Sequence, residues 1–82
     1  MTDRPTVPDH IVRKRSIAIH GHRTSLSLEE AFWEALTAIA RQRGLAISAL
    51  VSEIDDRRDP DGNLSSAIRL HVLEWLKAGN FL

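Results

Sequence analysis

The stretch RSIAIHGHRTSLSLEEAFWEAL, residues 15–36, decides the fold. In its first half apolar and polar residues alternate, with Ile17 and Ile19 on one parity, Leu26 and Leu28 on the other, and His20-Gly21-His22-Arg23 between them. Alternation marks a half-buried strand, and a parity switch across a glycine has two physical solutions. Either the chain turns back as a hairpin, with Ile17 opposite Leu26 and Ile19 opposite Thr24, or a bulge at Gly21 re-phases one continuous strand. Both gather Ile17, Ile19, Leu26 and Leu28 on one face and leave Ser25 and Ser27 on the other. A ribbon of two strands is marginal alone, so it must pack against something else.

The second half of the stretch changes period. Ser27 followed by Glu30 has the form of a capping box, which predicts a helix start. Phe32, Leu36, Ile39 and Ala40, flanked by Trp33 and Ala35, make an apolar stripe at helical spacing. Gly44-Leu45 reads as a left-handed stop whose leucine folds back on Ile39 and Ala40, so a first helix is predicted over 29–43.

Working outward, Ile47, Leu50, Val51 and Ile54 recur at i, i+3, i+4 and i+7 and predict a second helix over 47–58, closed by Arg57-Arg58. Asp59-Pro60-Asp61-Gly62 is a turn sequence, with proline presetting φ and glycine expected to supply a positive φ. Asn63 or Ser65 then caps a third helix over 63–78, bounded by Gly79. Its apolar positions cover more than one stripe, an excess that points to a second copy of the chain. Upstream of the ribbon, residues 1–12 carry Pro5 and Pro8 without periodicity and read as a flexible arm, leaving residues 13–82 as one domain with the ribbon over 15–28.

Eighty-two residues, 43% of them hydrophobic, suffice for one small domain and exclude a multidomain enzyme. There is no cysteine, hence no disulfide staple or thiolate chemistry, and self-association is the remaining staple. No apolar run approaches a membrane span, and MTDRPTVPDH lacks the apolar core of a signal peptide, so the expected location is cytoplasmic, with no membrane partner. The formal net charge is zero, which argues against a polycation that coats nucleic acid indiscriminately. That total divides unevenly: five cations against two carboxylates give residues 1–28 a charge of +3, and residues 29–82 carry −3.

Catalysis finds little support. The serines sit in no nucleophile elbow, and Asp55-Asp56, adjacent on a helix, point apart and read as a solvated face. No glycine-rich phosphate loop implies a nucleotide cofactor, and none of any kind is expected. His20 and His22 form the sole close histidine pair, but no acidic or cysteine ligand lies near them in sequence, so no metal site is expected; His71 reads as a packed helix histidine. What remains is the ribbon. Between Asp9 and Glu29 there is no acidic residue, while Arg13, Lys14, Arg15 and Arg23 are positive. A two-stranded ribbon fits the major groove of B-DNA, where arginine and serine pair with base edges and phosphates. The same charges would equally protect an edge strand from aggregation.

The order of these elements, and the segments RKRSIAIHGHRTSLSLEEAFWEAL and NLSSAIRLHVLEW in particular, resemble the ribbon-helix-helix family of bacterial and phage DNA-binding proteins, over roughly residues 13–78. The resemblance implies a mainly α fold with a short N-terminal β-ribbon, β-α-α plus an added C-terminal helix, in an intertwined homodimer whose core the second helix supplies. It implies that one strand from each subunit pairs antiparallel, that Arg23, Ser25 and Ser27 point outward to the groove, and that Thr24, Leu26 and Leu28 point inward. Arg13, Lys14 and Arg15 would follow the phosphate backbone. The start of the second helix would hold a phosphate, with Ser48 assisting because Ala46 stands where the family often has a capping hydroxyl. Under this reading the chain is a sequence-specific transcriptional regulator whose partners are itself and double-stranded DNA. The rival is a dimeric module that recruits an unidentified protein through its acidic helices.

Overall fold

A computed structural model describes residues 10–82, so the expected arm at 1–12 lies outside the described residues up to position 9. Two strands, β1 (Val12–Ile19) and β2 (His22–Glu29), precede three helices, α1 (Glu30–Arg43), α2 (Ile47–Arg57) and α3 (Leu64–Lys77). The helices fall within a residue of the ends that apolar periodicity predicts. The ribbon is longer than expected, because β1 begins at Val12 and β2 continues to Glu29.

The parity switch resolves as a hairpin. His20 (φ 51°) and Gly21 (φ 80°) both take positive φ, the requirement of a two-residue turn whose twist matches the flanking strands. This short turn sets a register two residues tighter than expected: Ile17 faces Thr24, Ile19 faces His22 and Arg15 faces Leu26. A shift of two preserves parity, so Ile17, Ile19, Leu26 and Leu28 still share the buried face.

The expected capping box does not form. Ser27 remains in the strand opposite Lys14, the residue flanking the helix is Glu29, and no side chain caps α1. Glu30 is instead the first helical residue, where a carboxylate suits the helix dipole, and it turns toward Arg15. At the other end Gly44 takes the left-handed conformation (φ 69°) and the Leu45 N–H donates to the Ala40 carbonyl at 2.8 Å, the stop foreseen for this helix. Between α2 and α3 the Gly62 N–H donates to Asp59 O, closing the turn, but Gly62 is not among the residues with positive φ, so that expectation is corrected. Asn63 caps α3 by accepting from the Ser66 N–H at 2.8 Å.

The three helices close over the inner face of the ribbon. Leu28, Leu36, Ile39, Leu50, Val51 and Ile68 are sealed from solvent. All of α2's large apolar positions except Ile47 are therefore used inside one subunit: Leu50 and Val51 have no exposure and Ile54 has 4%. This corrects the expectation that the second helix supplies a dimer core.

His71 packs in α3 with no solvent on Nε2 and no hydrogen-bond partner for it. Burial, and then the neighbouring Arg43, hold its pKa below the usual 6.5. An unfolded imidazole therefore takes a proton before the folded one does. The contribution is present above pH 6.5 and disappears as the pH falls below that value toward the folded pKa. Urea unfolding between pH 7.5 and 5.5 should show stability falling on the acid side, and His71→Leu should flatten that slope; an unchanged slope in the variant would refute the assignment. A second acid-side loss, below 4.5, is expected from Glu53, whose carboxyl is held low by the Arg43 guanidinium bonded to it at 2.6 Å.

Candidate nucleic-acid interface

Strand alternation divides the hairpin into two faces. Arg13, Arg15, Ile17 and Ile19 of β1 share the inner parity with His22, Thr24, Leu26 and Leu28 of β2. The outer parity carries Lys14, Ser16 and Ala18 beside Arg23, Ser25 and Ser27, and all six are exposed. It is a surface of small hydroxyl side chains with one cation on each strand. Glu29, at its far end, is bonded by Arg69 at 2.8 Å, and its carboxyl is held below the usual range by a backbone N–H and by that guanidinium.

The run Arg13-Lys14-Arg15 thus divides between faces. Lys14 is outward. Arg13 is exposed but on the inner parity, opposite Leu28. Arg15 is committed elsewhere: its Nη2 donates to both Glu30 oxygens, at 2.7 and 3.2 Å, and its guanidinium lies 4.3 Å from the centre of the Trp33 ring. Its side chain keeps 23% of its surface. Of the residues named from sequence, Arg23, Ser25, Ser27 and Lys14 are brought together, whereas Arg15 faces away from them. Ser27 is also free of its rival role as a helix cap.

The backbone of β2 is as informative as its side chains. A two-residue turn closes on a hydrogen-bonded pair, here Ile19 and His22, so alternate residues Thr24, Leu26 and Leu28 bond to β1. The N–H and C=O groups of Arg23, Ser25 and Ser27 then face the opposite edge. Among the described residues the sheet has two strands, so this edge carries no third. The Ser65 hydroxyl donates to the Ser27 carbonyl there, at 2.5 Å, which sets the start of α3 beside the open edge.

Ser48 lies in the first turn of α2, next to the flanking Ala46, which makes no side-chain cap, and no acidic residue opposes an anion in that turn. It is part of a different element from the outward face, about 12 Å along the α2 axis from Asp56, which meets the hairpin turn. That last contact was not legible in sequence. His20 Nε2 is 2.7 Å from Asp56 Oδ1, and Asp55 lies close enough for all three donor atoms to fall within 4.8 Å of one another. Each already has a partner, since Asp55 accepts from Arg58 Nε at 2.6 Å. The trio therefore reads as hydrogen bonding that ties the ribbon tip to α2. His22 is not in it.

Residues 12–76 match the family described as the ribbon-helix-helix domain. Among solved structures the chain is similar to an uncharacterized protein from Bordetella pertussis Tohama I, at 29% identity and a TM-score of 0.76, over 93% of this chain and 64% of that one. The chain thus spans less than two thirds of that protein's length. No curated protein matches it. No helix of the described residues is long and apolar enough to cross a membrane.

Proposed function

The chain belongs to the ribbon-helix-helix domain family, a non-catalytic DNA-binding and regulatory module rather than an enzyme, and from that premise we propose that it is a dimeric, sequence-specific DNA-binding regulator that reads the major groove with β2. The observation that carries this reading is the outward face itself: Lys14, Ser16, Arg23, Ser25 and Ser27 are exposed together, and the carboxylate at their end, Glu29, is bonded by Arg69.

Family ribbons pair one strand from each subunit, whereas this hairpin is closed within one chain. The two facts are compatible if the second copy adds to the open edge of β2, giving strand order β1-β2-β2-β1 across a two-fold axis. Three interstrand steps of about 4.8 Å span about 14 Å, wider than a major groove of about 12 Å that admits two strands. Only the central β2 pair enters the groove. Arg23, Ser25 and Ser27 then meet base edges, while Lys14 on the flanking strand meets phosphate at the rim, a role that the inner parity of Arg13 does not favour. Arg15 has no such role. A phosphate at the start of α2, near Ser48, would add a further backbone contact.

Fluorescence anisotropy of a labelled duplex tests this. Affinity should fall steeply as salt rises, with a logarithmic slope of about −4 to −5 if each subunit of the dimer neutralises two or three phosphates. No binding to any duplex at low salt would leave the fold as a protein-recruiting module. The exposed leucines of α3 are the observation that favours this second reading.

A further inference from the structure

α3 closes the β-α-α-α order, and among the described residues it is the element left with a large apolar face in solvent. Ile68 and Val72 face the core, yet Leu70, Leu73 and Leu76 retain 57%, 50% and 43% exposure. At 100° per residue Leu70 and Leu73 lie on the side of α3 opposite Ile68, with Leu76 flanking them. Leu70 also lines a recess of about 300 Å³ between α2 and α3, shared with Ile54, Ala67 and His71. We propose that this face is the apolar half of the dimer interface and that its occupant is the same face of a second copy of the chain.

Continuity and elimination both point to this occupant. Ser65 bonds Ser27, and Arg69 bonds Glu29, so α3 is anchored along the open edge of β2, and Leu76 and Leu73 are next around the helix from these anchors. A copy that adds to this edge must meet α3. The inner face of the ribbon has nothing apolar to offer it, because Ile17, Ile19, Leu26 and Leu28 are each 7% exposed or less within their own chain. Edge pairing contributes hydrogen bonds that water would otherwise satisfy, so the hydrophobic drive must come from elsewhere. Among the described residues the other large exposed apolar side chains are Ile11 and Val12, by β1, and the terminal Phe81 and Leu82. A leucine stripe meeting itself across a two-fold axis is self-complementary, as such an interface requires.

The proposal rests on the dimeric reading above, and its test separates the two. Sedimentation equilibrium of the full chain should give a dimer at micromolar concentration. The Leu70→Glu, Leu73→Glu double variant should remain helical by circular dichroism and dissociate at least tenfold more readily. As an independent readout, Leu73→Cys in this cysteine-free chain should form a disulfide-linked dimer on mild oxidation, while Glu34→Cys, on the exposed side of α1, should not. A double variant that dimerises like the wild type, or equal crosslinking of the two cysteine variants, overturns the α3 interface and leaves the β2-edge dimer standing. A wild-type monomer at 100 µM, about a hundredfold above the expected range, overturns both.

Discussion

Arg15→Ala is expected to lower the unfolding free energy by about 2–3 kcal/mol, whereas the same change at either neighbour, Arg13 or Lys14, should cost less than about 0.5 kcal/mol. Three consecutive cations look interchangeable in the sequence, but of the three only Arg15 is partly buried. Its guanidinium is bonded twice to Glu30, a residue only 8% exposed, and stacks on Trp33. Removing it leaves the Glu30 carboxylate buried and unpaired and strips a cation from an aromatic face. The upper end of the usual range for breaking a buried pair is not reached, because Arg15 retains 23% of its side-chain surface and water can partly replace it. Arg15→Lys should recover less than half of the loss, since an ammonium cannot bridge both carboxylate oxygens while lying flat on an indole. Urea unfolding followed by helical circular dichroism measures all four variants. Equal losses at Arg13 and Arg15 would mean that the pair contributes nothing specific.

This contrast also shows which parts of the molecule were legible in sequence. Local periodicity carried α1, α2 and α3 to within a residue of their ends, because an amphipathic stripe such as Ile47, Leu50, Val51 and Ile54 has one helical interpretation. Strand parity carried the two faces of the ribbon. The register did not follow, because it depends on whether His20 joins Gly21 in positive φ, and a histidine there is uncommon enough that a longer turn fits the sequence equally well. The capping box failed for a related reason: pairing of β2 with β1 continued past Ser27 to Glu29, which moved the helix-flanking position two residues beyond the serine.

Contacts between residues far apart in sequence were beyond local reasoning altogether. Arg69 reaches Glu29 and His20 reaches Asp56, across 40 and 36 positions, and no spacing rule connects them. The assignment of α2 to a dimer core erred in the same way. Its apolar stripe was visible, but Leu50, Val51 and Ile54 of that stripe are already buried within the same chain.

The DNA-facing roles make the second large prediction. In a two-fold dimer each substitution acts twice, so Arg23→Ala removes two groove contacts. At about 1.4 kcal/mol each, the low end for a well-formed base contact, the affinity for a preferred duplex should fall about hundredfold. Arg23 is exposed and forms none of the salt bridges found among the described residues, so the variant should unfold at the same urea concentration as the wild type. The affinity for random duplex should fall far less, so that the ratio between the two collapses. Lys14→Ala should behave differently. A phosphate contact at the groove rim carries no base information, so preferred and random duplexes should weaken by the same factor, and the logarithmic salt slope should become shallower by about 2 for the dimer. Anisotropy titrations of both variants at two or more salt concentrations distinguish the roles. If Arg23→Ala lowers both affinities equally and Lys14→Ala lowers only the preferred one, the assignments are reversed, and β1 rather than β2 is the strand in the groove.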